Sequence, residues 1–179
     1  METFVEARDF VSDSHFESDR TRALDKLNLS EIDLPIVDII KTFTDIPWCF
    51  TLQSCWGHFV HEGQPDPRGC EPLANYDDDT QIRFQLAYVA VRIKNSPQGR
   101  ALHDDLRGIV NLDPSNIQFG SAEWFWKRQV NLYVVQVEPD RFKNKDRAMI
   151  GVEEALYLET LKARMFTELR KIVARHKVS

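Results

Sequence analysis

Apolar and polar residues alternate along several stretches of the chain, which predicts strands. Residues 48–53 alternate in this way, and so does the longest apolar stretch, residues 82–93. In that second stretch the phase of the alternation changes between Leu86 and Ala87, which indicates a bulge or a strand that is covered on both faces. Further strands are predicted over residues 59–61, 116–120 and 129–137.

Three stretches carry apolar residues at helical spacing instead. Leu34, Val37, Ile40 and Phe43 predict one apolar helix face, and Pro35 fits the first turn of that helix. A second helix is predicted to begin after Ser96, with Pro97 at its first position. A long helix is predicted over residues 150–176, with an apolar stripe formed by Leu158, Leu161, Met165, Leu169, Ile172 and Val173.

The order of these elements is helix, strands, helix, strands, long helix. This order predicts an α+β fold with a mostly antiparallel or mixed sheet, helices packed on it and a long C-terminal helix. We expect one domain over residues 30–179. The preceding residues 1–29 are polar and acidic, and they are interpreted as an N-terminal arm with a short helix over residues 20–27.

The composition of the chain limits the types of protein, the cellular location and the partners that we expect. A length of 179 residues with 42% hydrophobic residues suits one globular domain, and no apolar run approaches the roughly 18 residues of a membrane span. The three cysteines are few and odd in number, which favours a reducing compartment, so a cytoplasmic location without membrane contact is expected. The net charge of −5 disfavours a tRNA partner unless a local basic patch exists. The last helix carries such cations, although a solvated helix face is the favoured interpretation of them.

The candidate chemistry is concentrated in the segment Gln53-Ser54-Cys55-Trp56-Gly57-His58. A histidine near Cys55 would lower the pKa of the thiol, and Gly57 would let the backbone bend enough for the two side chains to meet. On this hypothesis Cys55, His58 and Ser54 are the catalytic candidates, and the loop over residues 62–80 covers them.

Two alternatives remain open for the same segment. Cys55-x2-His58-x2-His61-x8-Cys70 supplies four ligands of the kind that zinc prefers, although not at a standard spacing. In the other alternative, Cys55 is a small core residue and His58 satisfies backbone acceptors.

Other residues are candidates for ligand contacts. Trp124 and Trp126 flank Phe125 beside two cationic residues, a combination that stacks planar ligands but that also occurs in ordinary cores. Arg92 interrupts an apolar strand and would bind an anionic group. The full set of predicted ligand contacts is Gln53, Trp56, Gly57, Arg92, Trp124 and Trp126.

The helix over residues 34–43, the following apolar strand and Ser54-Cys55-x-Gly57 resemble the wybutosine-synthesis tRNA methyltransferase family, in which such a strand runs into Ser-Cys-Ser-Gly-Arg. Trp56 and His58 stand where that family has Ser and Arg. The resemblance covers residues 34–60, and it implies an α+β domain that binds S-adenosylmethionine and acts on a tRNA base.

These observations predict a protein that binds a small nucleotide-like ligand, such as S-adenosylmethionine, at residues 54–58. Two alternative functions remain open. The protein would bind zinc, or it would be a non-enzymatic module that forms a homodimer through the apolar stripe of its last helix.

Overall fold

The computed structural model describes residues 4–62, 73, 80–143 and 145–178, which form an α+β fold with two antiparallel sheets. The strands are β1 (Phe4–Glu6), β2 (Cys49–Cys55), β3 (His58–Val60), β4 (Ile82–Gln85), β5 (Ala87–Ile93), β6 (Ile117–Ala122), β7 (Leu132–Val137) and β8 (Arg147–Ile150). The helices are α1 (Phe16–Asp25), α2 (Val37–Thr44), α3 (Pro97–Gly108), α4 (Glu123–Trp126) and α5 (Val152–His176), with 3-10 turns at Leu29–Glu31, Leu34–Ile36, Ile109–Leu112 and Asp140–Phe142. The predicted fold class is confirmed.

The larger sheet has the strand order β1-β6-β7-β5-β2, and the smaller one has the order β3-β4-β8. The apolar stretch over residues 82–93 is shared between them, because the strand breaks at Leu86 and β4 and β5 belong to different sheets. This break is the reason for the change of phase in the sequence. A second irregularity lies in β2, where the register with β5 shifts between Thr51 and Gln53.

One face of the larger sheet is buried under α2, α3 and α5. Val89, Val91 and Ile93 of β5 lie on this face and are at most 1% exposed. The predicted stripe of α5 is buried against it: Leu158, Leu161, Met165, Leu169, Ile172 and Val173. Because the chain itself covers these side chains, α5 does not present this stripe to a second copy.

The N-terminal segment packs against the other face of the larger sheet. β1 pairs with β6, and the Phe16 ring of α1 lies 5.5 Å from that of Phe50. Arg92, only 2% exposed, binds the carboxylates of Asp13 at 2.6 Å and Asp19 at 2.7 Å. The segment is thus tied into the domain rather than attached as an arm, because its carboxylates neutralise a buried cation.

Several boundaries differ from the predicted ones. The apolar face of α2 is formed by Ile36, Ile39, Ile40 and Phe43, whereas Leu34 is 83% exposed, because the first turn is 3-10 and shifts the helical phase. The strand β8 extends to Ile150, so α5 starts at Val152 rather than at the predicted residue 150. The predicted covering loop over residues 62–80 lies almost entirely outside the described residues. Within the described part of the chain, every helix is too short or too polar to span a membrane.

Candidate functional site

The turn between β2 and β3 consists of Trp56 and Gly57. Gly57 has φ of +80°, and a Cβ placed there would lie 2.6 Å from the Cβ of Ala87. Both the positive φ and the close approach to β5 require glycine at this position. The turn therefore has one tightly defined conformation, and it joins the strand that ends in Cys55 to the strand that begins with His58.

The side chain of Asp33, which lies in the connection before α2, contacts this turn. Donor atoms of Asp33, Cys55 and His58 all lie within 4.8 Å of one another, and we refer to these three residues as the Asp-Cys-His cluster. The Nε2 atom of His58 is 3.6 Å from Oδ2 of Asp33. The backbone N–H of Trp56 donates to the same carboxylate oxygen at 2.7 Å, and that of Gly57 donates to the sulfur of Cys55 at 3.3 Å.

The contact between His58 and Asp33 shifts the pKa values of these two side chains in opposite directions. Hydrogen bonding to the Asp33 carboxylate, and then to Cys55, raises the pKa of His58 to about 10. Hydrogen bonding to His58 lowers the pKa of Asp33 below its ordinary value. Around neutral pH the cluster thus contains an imidazolium next to a carboxylate. The Nδ1 atom of His58 is buried and has no hydrogen-bond partner among the described residues.

Behind the turn, a buried lysine from α5 holds the indole of Trp56. Lys162 is only 3% exposed; its ammonium donates to the carbonyl of Gly57 at 3.3 Å and lies 4.3 Å from the centre of the Trp56 ring. The indole also stacks on the ring of Phe166, with 4.8 Å between the ring centres. Cation–π contact and stacking fix the turn to the long helix.

A cleft of about 780 Å³ opens on the face of the larger sheet that α1 leaves uncovered. Its walls carry three aromatic rings, and polar and charged side chains converge on it from both sheets. It is lined by Gln53, Gln85, Leu86, Tyr88, Ala122, Trp124, Phe125, Val134, Gln136, Glu138, Lys145, Asp146 and Arg147.

Buried polar groups form part of the cleft wall. Glu138 is 2% exposed and Gln136 is 6% exposed, and the amide of Gln136 donates to Oε2 of Glu138 at 2.8 Å. On the rim, the guanidinium of Arg128 stacks on the ring of Trp124 at 3.4 Å from its centre. A buried carboxylate beside one exposed and two partly buried aromatic rings is an arrangement typical of ligand sites.

The strand register pairs two members of the Asp-Cys-His cluster with residues of the cleft wall. Cys55 is directly opposite Tyr88, and His58 is directly opposite Gln85. Residues that face each other in an antiparallel pair share one face of the sheet. Cys55 and His58 therefore share their sheet faces with Tyr88 and Gln85, which line the cleft, although neither is itself a lining residue.

The structure can be compared with known proteins at this point. Neither the family models nor the curated proteins give a match to the chain. A solved structure of the PH1069 protein from Pyrococcus horikoshii is similar over 92% of this chain and 97% of its own, with a TM-score of 0.51 and 15% identity. Another, from strain OT3, has a TM-score of 0.46 and 14% identity over 92% of this chain and 91% of its own.

A third solved structure, of a hypothetical protein from Aeropyrum pernix, covers 81% of this chain and 97% of its own, with a TM-score of 0.43 and 10% identity. At such low identity, the likeness to the first PH1069 structure shows a shared fold and nothing about chemistry.

The predicted site residues divide into those near the cleft and those elsewhere. Gln53 and Trp124 line the cleft, and Cys55 and His58 join the cluster. Ser54 faces the buried Val89, so its hydroxyl lies on the opposite side of the sheet from Cys55. Trp126 packs edge-on against Tyr133 at 5.9 Å and does not line the cleft.

Three further residues that were predicted for the site are not part of it in the described structure or lie outside the described residues. The cation of Arg92 is occupied by carboxylates of the N-terminal segment, so its predicted role as an anion-binding residue is replaced by a structural one. His61 contacts the carbonyl of Glu62 at 2.9 Å, and within the described part of the chain it does not belong to the Asp-Cys-His cluster. Cys70, the fourth predicted zinc ligand, lies outside the described residues.

Sequence reasoning missed Asp33, Gln136 and Glu138. Asp33 is far from Cys55 along the chain, and its only local signal is that of a residue before a helix. Glu138 gave a clearer signal that could have been used, because a carboxylate that directly follows the buried strand β7 and precedes Pro139 is unusual in a solvated loop.

Proposed function

We propose that this protein binds a nucleotide-like ligand in the cleft and that Cys55, His58 and Asp33 act on the bound ligand. The observation that carries the proposal is the strand register, which sets the thiol and the imidazole beside Tyr88 and Gln85 of the cleft wall. Reactive groups next to a preformed cavity are the usual arrangement of a small-molecule site.

The cleft suits a planar, nitrogen-rich group. Its volume of about 780 Å³ lies in the range of small-molecule sites. Trp124, Phe125 and Tyr88 offer ring faces or edges for stacking, and the Glu138 carboxylate accepts hydrogen bonds from N–H groups such as those at the edge of a nucleobase. Lys145 and Arg147 supply cations at the rim for a carboxylate or phosphate of the same ligand.

The Asp-Cys-His cluster supplies an acid and a nucleophile. With its pKa raised to about 10, His58 is protonated at neutral pH and donates a proton or contacts an anionic group, while Asp33 holds the ring in place. The sulfur of Cys55, which accepts the backbone N–H of Gly57 at 3.3 Å, belongs to the same cluster as this imidazolium and is the candidate nucleophile. We expect a group-transfer reaction, and S-adenosylmethionine is the first ligand to test because of the Ser54-Cys55-x-Gly57 resemblance.

A nucleoside rather than a long polyanion is the expected partner. The net charge is −5, and two cations of α5 are paired with acidic side chains of other elements, Arg170 with Asp38 and Arg175 with Asp105. An RNA substrate would therefore depend on the base in the cleft for most of its affinity.

Calorimetric titration with S-adenosylmethionine, adenosine and guanosine tests the proposal. We expect at least one of them to bind, and Glu138→Gln to weaken that binding by roughly ten- to a hundredfold, as for the loss of a hydrogen bond to a charged group. Cys55→Ala and His58→Ala should alter binding, whereas the matched controls Cys49→Ala and His61→Ala should not. Absence of binding by all three compounds, with the cluster variants indistinguishable from wild type, would refute the proposal.

A further inference from the structure

We infer that Asp33, Cys55 and His58 form a binding site for a thiophilic divalent cation, zinc in the first place. This site differs from the one that the sequence suggested, because Asp33 enters and His61 does not. A carboxylate, a thiolate and an imidazole are the three donor types that proteins offer to zinc, and sulfur discriminates against magnesium and calcium.

The distances between the donor atoms fit tetrahedral coordination of a single zinc ion. Two donors bound to one zinc at its usual bond lengths lie about 3.3–3.6 Å apart. The Asp33 Oδ2 and His58 Nε2 atoms are 3.6 Å apart, and all three donor atoms lie within 4.8 Å of one another. Small rotations of the Cys55 side chain therefore close the three-ligand set around one ion.

The turn also provides the supporting hydrogen bonds that such a site needs. The N–H of Trp56 donates to the Asp33 carboxylate, and the N–H of Gly57 donates to the Cys55 sulfur. Bonds of this kind orient ligands and stabilise their negative charge. Since Gly57 is fixed at φ +80° against Ala87, both donors are in place before any ion arrives.

Charge balance favours a divalent ion. A carboxylate and a thiolate together neutralise two positive charges, so a bound zinc ion takes the place of the protons that otherwise lie between these donors. With three protein ligands, the fourth position is open to water or to a group of the ligand in the neighbouring cleft, as in catalytic rather than structural zinc sites.

Titration of chelator-treated protein with cobalt(II) tests the site. A thiolate-to-cobalt charge-transfer band should appear, and zinc should abolish it by displacement. Asp33→Asn, Cys55→Ser and His58→Gln should each lower zinc affinity by at least about a hundredfold, more than the loss of a supporting hydrogen bond costs, as measured against a chromophoric chelator. The matched variants Cys49→Ala, His61→Gln and Cys70→Ala should bind zinc as the wild type does.

Two results would overturn the site: no charge-transfer band in folded wild-type protein, or a band that survives in Asp33→Asn but disappears in His61→Gln or Cys70→Ala. Circular dichroism of each variant separates loss of ligands from loss of folding. Because the titration contains no nucleotide, a failure of metal binding leaves nucleotide binding in the cleft standing, and the reverse also holds.

Discussion

The ion pair of Asp33 and His58 should make the stability of the protein depend on pH in a defined way. Asp33→Asn removes the negative charge but keeps an oxygen that accepts the N–H of Trp56. The difference between a pKa of about 10 and the ordinary 6.5 corresponds to about 5 kcal/mol. Cys55 contributes part of this, and the Asp33 side chain is 26% exposed to solvent that screens its charge, so we expect a cost of about 2 kcal/mol.

The direction of the pH dependence of stability follows from the two pKa shifts. The raised pKa of His58 gives stability that is complete below pH 6.5 and is lost as the pH rises through about 10. The lowered pKa of Asp33 gives stability that is present above 3.8 and is lost as the pH falls through its folded value. Asp33→Asn should therefore be most destabilising near pH 6, still costly at pH 7 and nearly neutral above about pH 10.

Urea unfolding of wild type and Asp33→Asn across this pH range measures the effect, and NMR titration of the His58 ring measures its pKa directly. Asp38→Asn is the matched control, because the partner of Asp38 is Arg170, which does not titrate in this range. Its cost should stay constant up to pH 10. A cost for Asp33→Asn that is equally constant, or a wild-type His58 that titrates near 6.5, would show that Asp33 and His58 do not form this ion pair.

The remaining predictions concern the turn and the buried cations. Gly57→Ala should cost at least about 1–3 kcal/mol in urea unfolding because of its positive φ and the contact with Ala87, whereas Gly108→Ala, which meets nothing, should be neutral or stabilising. Arg92→Met should cost about 3–5 kcal/mol by leaving two carboxylates without their cation, yet nucleotide affinity measured by calorimetry should stay within twofold. Lys162→Met should change the emission of the Trp56 indole, and an unchanged spectrum would contradict the packing of that cation on the ring.

Much of the fold was predictable because it follows from local patterns. The stripe of α5 and the Ser96 cap of α3 depend on neighbouring residues, and the structure confirms both. The phase change at Leu86 marks a break between two strands of different sheets rather than a bulge within one strand. The boundary errors arise where a 3-10 turn or a short strand competes with the helical pattern, as before α2 and at β8.

The candidate site was predictable only in part, because it is assembled by tertiary contacts. Cys55 and His58 stood out through their spacing around Gly57, but Asp33 reaches them through the packing of the connection before α2. Arg92 looked like an anion-binding residue because a buried cation must have an anionic partner, and the sequence does not say that the partner belongs to the same chain. The cleft wall at Glu138 depends on the pairing of β7 with its neighbours.

The most direct test of the account is the response of the four tryptophan indole N–H signals in a proton–nitrogen NMR spectrum to S-adenosylmethionine, adenosine or guanosine. Trp124 lines the cleft, Trp56 follows Cys55, and Trp48 and Trp126 do not line the cleft. We expect the Trp124 signal to move most and the Trp48 and Trp126 signals to stay in place. Four unmoved signals with every compound, or shifts confined to Trp48 and Trp126, would contradict this expectation.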